Sequence, residues 1–114
     1  MNLLIINPNI SAATNVRIRA IAGALIKAPD EVEVVSAPSG IELIETAEQS
    51  AATVPAVLSV VRERHEMADA IIIAAFSDPG LAEARKAASC PVFGISEAAM
   101  KMAAGIAERF VIIT

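Results

Sequence analysis

Short apolar runs alternate with amphipathic helical patterns along the whole chain. The runs are continuous stretches rather than strict apolar–polar alternations, which is typical of strands that are buried on both faces of a sheet. Five such runs predict five strands, at residues 3–6, 32–35, 70–74, 91–95 and 110–113. The second run is rich in valine, a β-branched residue that favours strands.

Helical periodicity fills most of the intervals between these runs. Ser11 can cap a first helix, whose apolar face recurs at the helical spacing of Ile18, Ile21, Ala22, Leu25 and Ile26. Residues 36–50 are predicted to form a loop that can include a short helical turn. A second helix follows, with Pro55 near its first turn, where proline is tolerated. It is marked by Val54, Val57, Leu58, Val61 and Ala68.

Two shorter helical patterns occupy the last third of the chain. The first is marked by Leu81, Ala84 and Ala88. Ser96 can cap the second, which is predicted to run to about Ile106. Strands that alternate with helices predict an α/β fold: an open, parallel, flavodoxin-like sheet in a three-layer sandwich. Ligands bind such sheets at the carboxyl ends of the strands. The loops expected at that edge are residues 7–11, 75–80 and 95–98, which residues 37–40 can join.

Composition and charge narrow the classes of function. The 114 residues fit one domain, and a 55% apolar content excludes a disordered chain. No apolar run is long enough to span a membrane, and the N-terminus lacks the basic start of a signal peptide, so we expect a cytoplasmic location. The net charge of −4 and the 3% aromatic content argue against a nucleic-acid partner. The chain has no Gly-rich or Walker nucleotide motif.

The single cysteine and the single histidine limit the possible chemistry. Cys90 cannot form an internal disulfide or a cysteine-based zinc cluster, and a role as a small packing residue is favoured over a reactive thiol. His65 is placed near the end of the second helix, away from the carboxyl edge of the sheet. A structural role is therefore favoured for His65. Because the chain has no other histidine, a Ser–His–Asp triad and a metal site built from histidines are then excluded.

The loops at the carboxyl edge contain polar residues with two open interpretations. Asn9 and Ser11 can hold a carboxylate or carbonyl at a helix N-terminus, or serve only as a turn former and an N-cap. Ser77 and Asp78 can bind a ligand or cap the helix that begins near Leu81. For Ser96 and Glu97, helix capping is the favoured interpretation. From the residues alone, these loops are candidate ligand loops and no more.

Three stretches in register resemble the aspartate/glutamate/hydantoin racemase superfamily, most closely its hydantoin and allantoin racemases. Residues 7–11, Asn-Pro-Asn-Ile-Ser, resemble the family's opening Asn-Pro-Asn-Thr-Ser. Residues 74–81, Ala-Ala-Phe-Ser-Asp-Pro-Gly-Leu, resemble its Ala-Cys-Phe-(Gly/Ser)-Asp-Pro-Gly-Leu. Residues 94–99, Gly-Ile-Ser-Glu-Ala-Ala, resemble its Gly-Ile-(Ala/Ser)-Glu-Ala-Ala, and residues 109–114 resemble the segment that opens the family's second half.

This resemblance implies a cofactor-independent isomerase without a metal, built from two pseudo-symmetric α/β halves. One cysteine from each half faces the substrate: one thiolate removes a proton next to a carbonyl, and the opposite thiol returns one. Here Ala75 occupies the position of the first cysteine. The chain corresponds to the N-terminal half, with a compact unit at about 1–106 and the first strand of a second half at 109–114. The chain alone is therefore predicted to be inactive.

The resemblance also implies a substrate site and partners. The predicted substrate-binding residues are Pro8, Asn9, Ser11, Phe76, Ser77 and Asp78. The expected ligand is a hydantoin, allantoin or related carbonyl compound, and a homo-oligomer without nucleic-acid or membrane partners is expected. Two alternatives stay open: a single-cysteine decarboxylase of the arylmalonate type, and an inert module that binds a small carboxylate.

Overall fold

The computed structural model describes residues 1–113 and contains a parallel four-stranded sheet with helices on both faces. The elements in chain order are β1 (Asn2–Asn7), α1 (Ala12–Leu25), β2 (Glu31–Ser36), α2 (Ala47–Arg64), a 3₁₀ turn (His65–Met67), β3 (Ala70–Ile73), α3 (Leu81–Ala87), β4 (Val92–Gly94) and α4 (Ile95–Ile106). The strand order is β2-β1-β3-β4. The predicted open, parallel, flavodoxin-like sheet is thus confirmed.

The two faces of the sheet are covered unequally. On one face, α2 and α3 close the main core, which is formed by Leu4, Ile6, Val57, Val60, Val61, Ile71, Ile73, Ala84 and Val92. On the other face, α1 covers a smaller cluster through Ala22, which packs on Ile5 and Val34. Strand alternation places Phe93 of β4 on this second face, where 47% of it is exposed. The half of the second face formed by β3 and β4 is therefore only partly covered.

The α1 helix begins as predicted but buries less of its apolar face than the periodicity indicates. The Ser11 hydroxyl accepts a hydrogen bond from the Thr14 amide at 3.3 Å, which confirms the predicted N-cap. Ile21 and Leu25, however, are 66% and 78% exposed. Neither side chain belongs to the apolar cluster that α1 forms with the sheet.

The second helix starts about two turns earlier than predicted. Thr46 and Gln49 form a capping box, in which the Thr46 hydroxyl accepts from the Gln49 amide and the Gln49 side chain accepts from the Thr46 amide. The loop predicted over residues 36–50 therefore ends at Thr46. Pro55 lies in the middle of α2, not near its first turn. Burial of Val57, Val60 and Val61 against the sheet outweighs the local cost of proline.

The predicted fifth strand at residues 110–113 is wrong, because residues 107–113 form no strand. This tail lies beside α4 and Phe76 instead of pairing with the open edge of β4. Its backbone therefore forms no ladder with the sheet. Val111 and Ile113 are 85% and 93% exposed. Thr114, the last residue of the predicted second-half strand, lies outside the described residues.

Candidate functional site

Four loops meet at the carboxyl edge of the sheet. The Ala74 amide donates to the Ile6 carbonyl at 2.8 Å, so the ends of β1 and β3 are adjacent. The Ala37 amide donates to the Asn7 carbonyl at 2.8 Å, and the Ile10 amide donates to the Ile41 carbonyl at 3.0 Å. These bonds confirm that residues 37–40 join this edge. In open α/β sheets, the crevice beside such strand ends is the usual ligand position.

The loop after β1 is organised by Asn7, the fully buried last residue of the strand. Its Nδ2 donates to Asn9 Oδ1 at 2.7 Å and to Asn15 Oδ1 at 2.9 Å. Its Oδ1 accepts from the Asn9 amide at 3.2 Å. Asn9 Oδ1 also accepts from the Ser11 amide at 2.9 Å. Both hydrogens of the buried Asn7 amide are thus used to shape the loop that carries Asn9.

Sequence reasoning missed two members of this network. Asn15 lies on α1, and its Nδ2 donates to the Ser36 hydroxyl at 2.7 Å. Ser36 ends β2, directly beside Asn7 in the parallel register. The available signal in the sequence was Asn15 itself, a polar residue one turn into a helix that follows an asparagine-rich loop. Its partner, however, lies on another strand and could be found only from the fold.

The predicted loop residues differ in what they expose. Pro8 is completely buried. Asn9 and Ser11 are half-buried. The Ser11 hydroxyl oxygen accepts the capping bond from the Thr14 amide.

The loop after β3 borders an open depression of about 390 Å³. Ala75 is half-buried and lines it together with Phe76 and Ser77, which are exposed, and with the buried Ser50 of α2. The Ser77 and Ser50 hydroxyls are hydrogen-bonded at 2.6 Å. The opposite wall is formed by residues 44–47, which lead into the N-terminus of α2. No sequence signal had linked Ser50 to this loop.

Asp78 caps α4 rather than α3. Its Oδ1 accepts from the Ser96 amide at 3.0 Å and its Oδ2 from the Glu97 amide at 2.7 Å. The prediction that Ser96 caps this helix is therefore wrong, because the cap comes from a loop eighteen residues earlier in the chain. Ser96 itself lies buried in the first turn. The carboxylate reaches this position because Asp78 adopts a left-handed φ of 47°.

Gly94 makes this cap possible, since a Cβ atom at position 94 would overlap the Asp78 carboxylate. The α3 helix begins without a side-chain cap, at Gly80 with a φ of +73°. The suggestion that Ser77 or Asp78 caps α3 is therefore also wrong. Both glycines serve the backbone of the site rather than its chemistry.

An ion pair ties α3 to α4 behind this loop. The Arg85 guanidinium binds the Glu97 carboxylate, and its Nε donates to the Val92 carbonyl at 3.0 Å. Lys101 also contacts Glu97, at 3.2 Å. Hydrogen bonds from Arg85 and then from Lys101 lower the pKa of Glu97 to about 2. Glu97 thus remains a carboxylate across the whole physiological pH range and supports the fold next to the Asp78 cap.

His65 and Cys90 lie away from the depression. His65 forms the C-cap of α2, and its Nδ1 accepts from the Ser89 amide at 3.1 Å. Cys90 precedes β4 and packs against the main core. Burial raises the pKa of the Cys90 thiol. Both placements agree with the structural roles predicted for these residues.

The described part of the chain contains neither a membrane-spanning helix nor a cluster of metal-ligating side chains. Over residues 1–113, no helix is both long and apolar enough to cross a bilayer. In the same part of the chain, no three His, Cys, Asp or Glu side chains come together as a metal site.

Comparison with protein families gives one match over nearly the whole chain. The profile of the family described as Asp/Glu/Hydantoin racemase matches residues 3–114. Two hydantoin racemases are similar along the entire chain: that of Rhizobium meliloti is 35% identical and that of Pseudomonas sp. (strain NS671) is 31% identical. The matches cover 48% and 46% of those proteins. The chain therefore spans about half the length of the curated relatives it matches.

Two solved structures share the fold closely. An allantoin racemase from Klebsiella pneumoniae superposes with a TM-score of 0.90 at 40% identity, over 96% of this chain and 45% of that one. An allantoin racemase from Pseudomonas fluorescens superposes with a TM-score of 0.88 at 25% identity, over 96% and 47% respectively.

Proposed function

This chain belongs to the Asp/Glu/hydantoin racemase family, and from that membership we propose that it is the N-terminal half of a hydantoin- or allantoin-type racemase. Its substrate would be a 5-substituted hydantoin, allantoin or a related carbonyl compound, and the reaction would need no cofactor. The similarity to hydantoin racemases along the entire chain and the superposition on allantoin racemases support this proposal.

The observation that carries the proposal is the placement of Ala75. It follows β3 at the carboxyl edge of the sheet and borders the depression beside Phe76 and Ser77. A residue there can act on a ligand held at the strand ends. In the proposed enzyme type, this is the position of the thiol that exchanges a proton with the carbon next to the substrate carbonyl.

Racemisation needs two proton-transfer groups, one on each side of that carbon. A thiol is suited to the task because its ordinary pKa, about 8.5, can be tuned toward neutrality. The methyl group of Ala75 cannot transfer a proton, and the second thiol would come from a second half. Because one positioned acid or base contributes about 10²–10⁴ in rate, we propose that this chain is inactive by itself.

The division of the chain fits this proposal. Residues 1–106 contain all the strands and helices, and the exposed tail at 107–113 pairs with none of the four strands. We therefore propose that residues 109–114, of which 109–113 form no strand in this chain, become the first strand of a second α/β half when that half supplies a neighbouring strand. A homo-oligomer of the two-half protein is part of the same proposal.

The experiment restores the thiol in a protein completed by a second half that carries its own cysteine, such as that of a curated relative. Ala75→Cys should raise the racemisation rate of a 5-substituted hydantoin, followed by polarimetry, by about 10²–10⁴ over the alanine form. Ala74→Cys is the matched control, because Ala74 packs toward the α1 side of the sheet. Equal rates for the two cysteine variants and the alanine form would reject the proposal.

A second candidate function is favoured by the small size of Ala75 itself. A single-cysteine decarboxylase of the arylmalonate type has a small residue at this position and protonates its product from one face. The completed protein with Ala75 unchanged would then release CO₂ from an arylmalonate and give one enantiomer. Racemisation without CO₂ release would exclude this candidate.

A further inference from the structure

The hydrogen bonds around Asn7 determine which way its side-chain amide is turned, that is, which partners face its oxygen and which face its NH₂ group. Asn7 Nδ2 faces two oxygens, Asn9 Oδ1 and Asn15 Oδ1. Asn7 Oδ1 faces the Asn9 amide hydrogen. If the Asn7 side chain were rotated by 180°, its oxygen would face those two carbonyl oxygens. Such an arrangement is repulsive and leaves a fully buried amide without hydrogen-bond partners, which strongly disfavours it.

The same reasoning fixes the orientation of Asn9. Its Oδ1 accepts from Asn7 Nδ2 and from the Ser11 amide. A flipped Asn9 would bring its NH₂ group against two donors. The Asn9 Nδ2 group therefore points away from the network, and within residues 1–113 it donates to no other group. Asn9 is half-buried at the edge where β1 adjoins β3.

The far end of the network is anchored on β2. Asn15 Nδ2 donates to the Ser36 hydroxyl at 2.7 Å, which leaves Asn15 Oδ1 to accept from Asn7. Bonds therefore run from Ser36 through Asn15 and Asn7 to Asn9. The backbone amides of Asn9 and Ser11 define which group donates between Asn7 and Asn9, whereas the Ser36 hydroxyl can donate or accept. Asn7 is inaccessible to any ligand, since it is fully buried. It can act on a substrate only through Asn9.

We propose that Asn7 is a positioning residue that fixes the orientation of the Asn9 side-chain amide, so that Asn9 presents an N–H donor to a carbonyl oxygen of the substrate. A donor at that point favours a ligand with an acceptor there and stabilises the negative charge that develops on this oxygen when the neighbouring carbon loses its proton. The choice of a carbonyl compound as ligand rests on the function proposed above.

Three isosteric substitutions separate this role from simple packing. Asn9→Asp keeps the oxygen that accepts from Asn7 and Ser11 but replaces the outward donor by a second oxygen. Asn7→Asp removes both N–H donors of the side chain, so the side-chain amides of Asn9 and Asn15 must reorient. Asn15→Asp is the matched control: it keeps the acceptor for Asn7, and the Ser36 hydroxyl can reverse to donate to the new oxygen. All three variants add the same charge to the same network.

The measurement is NMR on the full chain, with 5-methylhydantoin as the probe. In the unliganded wild type, the side-chain NH₂ of Asn7 should exchange with water at least about tenfold more slowly than that of Asn9, because only the former is bonded to protein. Titration with the hydantoin should shift the Asn9 NH₂ signals. The dissociation constant should rise about tenfold or more in Asn9→Asp and in Asn7→Asp, and stay within about twofold in Asn15→Asp.

Several results would overturn the inference. A protected Asn9 NH₂ in the free protein would do so, as would wild-type affinity in Asn9→Asp or equal losses in all three variants. If Asn7→Asp does not fold, the exchange pattern and the comparison of Asn9→Asp with Asn15→Asp decide the question. If the wild type does not bind the hydantoin, the proposed function is rejected. The exchange rates alone then support or reject the orientation inferred for the Asn7 and Asn9 amides.

Discussion

The Asp78 side chain holds the backbone of the candidate site in place. Both of its oxygens accept amide hydrogens at the start of α4, where a carboxylate also interacts favourably with the helix dipole. The loop that carries Ala75, Phe76 and Ser77 is thereby fastened to a second element. A direct contact of Asp78 with substrate stays a prediction.

Removing the charge from Asp78 should destabilise the fold. Asp78→Asn places an NH₂ group against one of the two amide hydrogens, so we expect a loss of roughly 1–2 kcal/mol in the free energy of unfolding, measured by urea denaturation. Gly94→Ala should act in the same direction by displacing the carboxylate. Glu63→Gln, at an exposed position of α2, is the control. Stability equal to that control in both variants would contradict the capping role.

The sequence predicted the roles of single residues better than it predicted their hydrogen-bond partners. Ser11 as a cap, and Cys90 and His65 as structural residues, follow from local position and were confirmed. The partner of Asp78 could not be predicted in this way. The bond joins the loop after β3 to the helix that follows β4. Its formation depends on how two crossovers pack, and no local pattern contains that information.

At the scale of elements, periodicity located the helices and strands but misplaced the start of α2. In the sequence, Pro55 indicates a first turn because proline is well tolerated there. The actual start is the Thr46–Gln49 capping box, a local pattern that was present in the sequence. The helix continues through the proline because its valine face is buried against the sheet, a tertiary effect that overrides local preference.

The contact between α3 and α4 should weaken in acid. The pKa of Glu97 is about 2 in the fold against an ordinary value of 4.5, so the folded state binds this proton less readily than the unfolded state. The ion pair with Arg85 therefore stabilises the fold fully above pH 4.5, and this contribution is lost as the pH falls through about 2.

Titration of the Glu97 carboxyl by NMR checks this directly. Arg85→Met should return the pKa of Glu97 most of the way to its ordinary value. Lys101→Met should shift it less, because the Lys101 side chain is 73% exposed and its hydrogen bond is the smaller cause. A larger shift in the lysine variant than in the arginine variant would show that the α3–α4 pair is not the main cause.

At the scale of the whole molecule, apolar surface remains uncovered. Ile21 and Leu25 of α1, Met102 and Ile106 of α4, and Phe93 of β4 are all exposed, several of them by more than half. Isolated exposed apolar residues are ordinary, but clusters of them mark surfaces that pack against something. The chain spans about half the length of its relatives, so a second half of the protein is the partner we propose for part of this surface.

We therefore expect the 114-residue chain to self-associate. Light scattering at micromolar concentration should give a mass above the 11.8 kDa of the monomer. The double variant Ile21→Lys with Leu25→Lys should lower that mass, because it places charge on the exposed apolar positions of α1. Ala13→Lys with Ala20→Lys adds the same charge to exposed positions elsewhere on the helix and should change it less. A clean wild-type monomer would indicate a complete domain.

The sequence by itself determined the α/β class, the order of the elements, the edge at which the loops gather and the family to which they belong. These properties follow from local periodicity and from motifs within a few consecutive residues. Only the tertiary structure decided which groups the loop side chains bind: Asn7 with Asn15, Ser77 with Ser50, and Asp78 with the start of α4. It also decided that residues 107–113 form no strand. The physical reason is the same in each case, since a hydrogen bond needs a partner at about 3 Å, and the packing of distant segments supplies or withholds that partner.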